Sequence, residues 1–71
     1  MVEKELEKFD CCKVEVTTND GEKYSSICEF VSAEDNAPLS ASIILQGNDG
    51  QFYEIYIDEI KSIKQVWDLL F

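Results

Sequence analysis

Cys12-Lys13-Val14-Glu15-Val16-Thr17-Thr18-Asn19-Asp20-Gly21-Glu22-Lys23-Tyr24 is the stretch whose periodicity decides the fold class. Cys12, Val14 and Val16 alternate with Lys13, Glu15 and Thr17, the period-two pattern of a strand with one face in a core. Asn19-Asp20-Gly21 predicts a tight hairpin turn, because Asn, Asp and Gly tolerate positive φ. The chain returns over residues 22–31, with Tyr24, Ser26, Cys28 and Phe30 on one face and Ile27, Glu29 and Val31 on the other. Apolar groups on both faces predict a long, bent strand serving two sides of a small barrel.

Beyond this hairpin, residues 32–38 read as the main loop, being Ser, Ala, Glu, Asp, Asn, Ala and Pro. Leu39, Ala41, Ile43 and Leu45 then alternate with Ser40, Ser42, Ile44 and Gln46, which predicts a third strand. Gly47-Asn48-Asp49-Gly50 is a second hairpin turn. A fourth strand over residues 51–57 puts Tyr53, Ile55 and Ile57 on one face and Phe52, Glu54 and Tyr56 on the other.

The C-terminal segment reads in two ways. Ile60, Ile63, Trp67 and Leu70 have helical spacing. Alternatively Ile57-Asp58-Glu59-Ile60 is a tight turn and residues 61–66 form a fifth strand. The strand is favoured, because four antiparallel strands leave edges that a fifth closes. Upstream, Val2, Leu6 and Phe9 lie at i, i+4 and i+7, the stripe of a short amphipathic helix. So short a helix has to dock on an open end or edge of the sheet. The fold expected is mainly β, a single domain over residues 1–71, with a short N-terminal helix and a strongly bent five-stranded antiparallel barrel.

Composition bounds the function. Fifteen acidic residues face six basic ones, a net charge of −9 without a histidine. Such a chain repels nucleic-acid phosphates and anionic lipid and attracts basic protein surfaces. Without histidine there is no side chain whose ordinary pKa suits general base work at neutral pH. No phosphate-cradling loop, serine nucleophile motif or Cys–His pair occurs, so the chain is not expected to be an enzyme or to carry a cofactor. Cys11, Cys12 and Cys28 are an odd set without Cys-x-x-Cys spacing, which speaks for structural thiols and against a metal site. Reduced thiols fit a cytoplasmic protein, and Met1-Val2-Glu3-Lys4-Glu5 has no long apolar run of a leader or membrane span.

Val14-Glu15-Val16, then Asp20-Gly21-Glu22-Lys23-Tyr24, with Tyr56-Ile57-Asp58-Glu59-Ile60-Lys61-Ser62-Ile63 at the close, resemble the Sm-like fold. That fold, akin to SH3-like barrels, sets an N-terminal helix on a bent five-stranded barrel. The RNA-binding members carry Arg-Gly before the last strand, where this chain has Asp58 and Glu59. Their base-reading Asp-x-x-Met-Asn loop survives only as Asp35-Asn36, and the glycine that bends their second strand is replaced near Ser25 or Ser26. The Asp-Gly-Glu-Lys hairpin and the Ile-Asp-x-Ile close also resemble the small, acidic, bacterial Rof-type inhibitors of the terminator Rho. That resemblance implies a protein that occupies a partner's nucleic-acid site with acidic groups.

The candidate binding residues are therefore Glu34 and Asp35 on the main loop, Asp58 and Glu59 before the last strand with Asp49 and Glu54 near them, and Trp67 and Phe71 at the apolar end. For the acidic residues solvated turn charges are the plainer reading, whereas for Trp67 and Phe71 an exposed contact and completion of the core weigh equally. The function expected is a protein-binding regulatory module with a basic partner. The alternatives are an Sm-like RNA-binding ring and a structural homo-oligomer joined through the C-terminal apolar residues.

Overall fold

Both hairpins of the computed structural model, which describes residues 1–67, close over the same tripeptide, Asn-Asp-Gly. β1 (Lys13–Thr18) turns through Asn19-Asp20-Gly21 into β2 (Lys23–Val31), and β3 (Ser42–Gln46) turns through Asn48-Asp49-Gly50 into β4 (Phe52–Tyr56). In each, the residue ahead of the tripeptide donates its N–H across the loop, Thr18 to Glu22 O and Gly47 to Gln51 O, both at 2.8 Å. The last glycine donates back, Gly21 to Thr18 O and Gly50 to Gly47 O, both at 3.0 Å. Gly21 at φ +91° and Gly50 at φ +82° take the left-handed conformation that a three-residue hairpin loop needs in its third place.

A 3-10 turn (Ile57–Glu59) leads from β4 into β5 (Ile60–Gln65). The five strands are antiparallel neighbours in one open sheet, in the order β4-β3-β2-β1-β5. β2 is the strand that bends it. Residues 23–27 pair with β1, while residues 28–31 pair with β3, so its two halves have different neighbours. This is the long shared strand that apolar groups on both faces predict, and it gives the sheet a barrel-like curl. The curl stays open, with β4 and β5 as its edges.

The alternation read from the sequence sets the core. Val14 and Val16 of β1, Cys28 of β2, Ile43 and Leu45 of β3 and Ile55 of β4 are buried together with Leu6. Full burial of such a side chain is worth about 1.5–3 kcal/mol. α1 (Glu3–Glu7) contributes Leu6 and packs on β2. It is shorter than the stripe through Phe9 predicts, because the chain leaves it in successive turns, Phe9 N–H to Leu6 O and Asp10 N–H to Glu7 O, both at 3.0 Å. Phe9 still packs against the core from this turn. Glu5 Oε1 accepts the Val2 N–H at 2.9 Å at the helix start, and Glu3 Oε2 accepts the Ala33 N–H at 3.2 Å, tying the helix to the main loop.

Between α1 and β1 the chain makes a bulge against β2. Cys11 N–H donates to Cys28 O at 2.9 Å and Cys28 N–H donates to Cys12 O at 3.0 Å, so two residues oppose one. Cys11 occupies the left-handed position, at φ +63°, where glycine is usual.

Of the two C-terminal readings, residues 60–65 form the strand, and Val66 N–H extends the ladder to Lys13 O at 2.8 Å. The candidate Phe71, with Leu69 and Leu70, lies outside the described residues. The third strand begins at Ser42 rather than Leu39, because residues 39 and 40 finish the loop. Leu39 N–H donates to Asn36 O and the Asn36 side chain donates to Ser40 O, both at 2.8 Å. No helix among the described residues is long and apolar enough to cross a membrane.

Candidate functional site: an acidic cleft beside β4

The two hairpins do more than reverse the chain. Each is followed by a tyrosine at the same offset, in Asn19-Asp20-Gly21-Glu22-Lys23-Tyr24 and Asn48-Asp49-Gly50-Gln51-Phe52-Tyr53. Because the turns are alike, both tyrosines emerge on the inner side of the sheet at the same end. Their rings meet with centroids 5.2 Å apart and planes inclined by 44°. Such tilted pairs are favoured by the ring quadrupoles. Gly47 makes room for this pair, since a Cβ there would stand 2.7 Å from the Tyr53 ring. Asp49 fixes the ring's far end by accepting the Tyr53 hydroxyl, and also accepts the Gln51 N–H at 3.0 Å.

The tyrosines form one wall of a cleft of about 320 Å³, also lined by Thr18, Asn19, Asp20, Glu22, Glu54, Ile55 and Glu59. Asp20, Glu22 and Glu59 thus stand around an aromatic wall, whereas Glu54 alternates with Tyr53 and Ile55 on β4 and turns its carboxylate to the opposite face, and no lysine is among the described residues that line the cleft. Glu54 is anchored by three donors, Ser42 Oγ at 2.7 Å, Asn36 Nδ2 at 3.1 Å and Tyr56 OH at 3.2 Å. The bonds from Ser42 and Asn36 hold its carboxyl below the ordinary glutamate range. The Thr18 hydroxyl does the same for Asp20. Burial, and then the neighbouring charges of Glu22, Asp20 and Asp49, push the Tyr24 phenol up. The bond to Asp49, followed by burial, pushes Tyr53 up. At neutral pH Asp20 and Glu54 are therefore charged and the two tyrosines neutral.

The 3-10 turn supplies the opposite side. Asn19 donates its side chain to Asp58 O at 2.8 Å and its N–H to Glu59 O at 2.9 Å, locking this turn to the β1–β2 hairpin. Glu59 Oε1 accepts the Tyr56 N–H at 2.9 Å.

The sequence candidates disperse. Glu59 and Glu54 line the cleft, whereas Asp58 faces a separate hollow with Pro38, Leu39, Ser40 and Tyr56. Asp49 stands behind the wall as the partner of Tyr53. Glu34 and Asp35 are exposed on the main loop and do not line the cleft. Trp67 is 75% exposed at the end of the described chain. Asp20, Glu22, Tyr24 and Tyr53 were not singled out as a site by the sequence reading, although the repeated Asn-Asp-Gly-x-x-Tyr hexapeptide is a signal for them. Among the described residues no three His, Cys, Asp or Glu side chains gather closely enough to hold a metal ion. The cleft's carboxylates are spread along its walls, as a long cation with hydrogen-bond donors at its tip requires. Comparison with known protein families, curated proteins and solved structures finds no match for this chain.

Proposed function

We propose that this chain is a protein-binding regulatory module rather than an enzyme, and that it takes a lysine or arginine side chain of a basic partner into the Tyr24–Tyr53 cleft. The carrying observation is the composition of that cleft. Two aromatic rings lie beside the acidic residues Asp20, Glu22 and Glu59, and no lysine is among the described residues that line the cleft. Cations are attracted to aromatic faces and form their strongest hydrogen bonds with carboxylates. The Tyr53 ring, held at its hydroxyl by Asp49, needs little ordering when a ligand arrives, which favours affinity. The N-terminal helix, the shared second strand and the acidic 3-10 turn agree with an Sm-like module of the Rof type, a cytoplasmic protein that meets a nucleic-acid-binding partner with carboxylates. The same charges oppose direct binding of RNA.

Titration with a short lysine-rich peptide tests the reading. Saturable binding that weakens with added salt, perturbs the Tyr24 and Tyr53 resonances and falls in Glu22→Gln and Glu59→Gln supports it. Retention of RNA at low salt, with indifference to the peptide, overturns it.

A homo-oligomer is a second reading, favoured by the exposure of Phe52 at 72% and Trp67 at 75%. A monomeric mass in solution, unchanged on removal of residues 67–71, eliminates it.

A further inference from the structure

The phase of the β3–β4 ladder determines which backbone groups of β4 are free. Gly47 N–H bonds to Gln51 O and Ile57 N–H bonds to Ala41 O, each at the end of a register in which Leu45 faces Tyr53 and Ile43 faces Ile55. In an antiparallel pair the directly bonded positions recur every second residue. Residues 51, 53, 55 and 57 therefore direct their N–H and C=O groups at β3. Phe52, Glu54 and Tyr56 direct theirs outward, along the free edge of the sheet.

The outward positions are not equivalent. The Tyr56 N–H is already taken by the Glu59 carboxylate at 2.9 Å, which stops any ladder at that point. Phe52 and Glu54 remain among the described residues, on a short strand whose one charged side chain, Glu54, is drawn away onto Ser42 and Asn36. β4 reads Phe-Tyr-Glu-Ile-Tyr, without lysine or proline, whereas the opposite edge, β5, carries Lys61 and Lys64. The β4 edge is also the one beside the acidic cleft, since Tyr53, Glu54 and Ile55 line it.

We propose that the β4 edge binds an extended, lysine-bearing segment of a partner protein as an added strand, bonded to the backbone of Phe52 and Glu54, with a lysine side chain in the cleft. This deepens the cleft reading and rests on it. An added strand lies about 4.7–4.9 Å from β4, and every second side chain points to its inner side, where Tyr53 and Ile55 stand. Backbone bonds then supply affinity without sequence preference, and the acidic residues Asp20, Glu22 and Glu59 of the cleft select the basic residue. Charge chooses the occupant. A neutral or acidic strand gains the same ladder but meets uncompensated carboxylates.

The test uses the full chain and a blocked peptide alternating threonine and lysine. With free peptide at about ten times Kd, hydrogen exchange of the Phe52 and Glu54 amides slows about tenfold, while that of Tyr56 is unchanged. The same peptide N-methylated at alternate residues binds about tenfold or more weakly, having lost ladder bonds. Equal binding of the methylated peptide, with Tyr24 and Tyr53 perturbed and the exchange of Phe52 and Glu54 unaltered, overturns strand addition and leaves the cleft reading standing. No binding of either peptide overturns both. Protection of Phe52 and Glu54 that grows with protein concentration alone makes the occupant a second copy and also overturns the proposal.

Discussion

Ser42, fully buried in β3, donates a 2.7 Å hydrogen bond to Glu54 Oε2 on β4, so the one carboxylate of the edge strand is anchored from the interior, on the face away from Tyr53. Asn36 joins the same network, donating to Glu54 Oε2 at 3.1 Å and to Ser42 Oγ at 3.3 Å. Glu54 is therefore a clamp that fastens the main loop to the sheet. A serine hydroxyl left unbonded at such depth carries a desolvation penalty, and this network removes it.

Ser42→Ala should let the Glu54 pKa rise toward the ordinary glutamate range, because the leading cause of its depression is removed. An NMR titration of the Glu54 side chain measures this directly, and an unmoved titration curve contradicts the assignment.

Stability should fall in acid, with a sign that follows from the same bond. The folded-state pKa of Glu54 lies below its unfolded value. Its contribution is thus complete above the ordinary glutamate range and is lost as pH falls through the folded value. Asp20 and Asp49 act in the same direction, through bonds from Thr18 and Tyr53. Denaturant midpoints measured against pH should decline through this range, and Glu54→Gln should decline less steeply.

Gly47→Ala should damage the cleft rather than the hairpin. A methyl group at 2.7 Å from the Tyr53 ring forces the ring away from Tyr24 and Asp49. Overpacking of this kind costs about 1–3 kcal/mol. The variant should melt lower and bind the lysine-rich peptide less tightly, and unchanged Tyr24 and Tyr53 resonances would show the ring to be more mobile than its contacts imply.

The three thiols should react in an order set by their places around the bulge. Burial, first of all, pushes the Cys28 thiol up to about 11, and Cys28 also donates to Phe9 O at 3.1 Å. Cys11 is exposed, although the neighbouring Asp10 raises its pKa as well. Alkylation at neutral pH followed by peptide mapping should find Cys11 modified first and Cys28 only on unfolding. Equal rates at the two positions would contradict the burial of Cys28.

Cys11→Gly should not destabilise the fold. The left-handed conformation costs a side-chain-bearing residue about 1–2 kcal/mol, which glycine avoids. The added freedom of glycine in the unfolded chain returns about 0.4–1 kcal/mol of this. A denaturant midpoint equal to or above that of the parent is the expected outcome.

The sequence by itself determined the strands and both hairpins, because their signals are local. Alternation at Val14 and Val16 or at Ile43 and Leu45 fixes which side chains turn inward, and Asn-Asp-Gly supplies the left-handed glycine that each turn needs. It also exposed the bend, through apolar groups on both faces of residues 22–31. The choice between strand and helix after Ile60 needed tertiary pairing, since Ile60, Ile63 and Trp67 have helical spacing and only the register shift opposite Thr17 and Thr18 of β1 lets both Ile60 and Ile63 pack on the core. The cleft belongs wholly to the tertiary structure. Its walls come from the first hairpin, from β2, from β4 and from the 3-10 turn, and no local pattern states that Tyr24 meets Tyr53 or that Glu22 and Glu59 line the same space. Acidity was visible as a sum over the chain, but its placement beside the β4 edge depends on contacts between residues far apart in sequence.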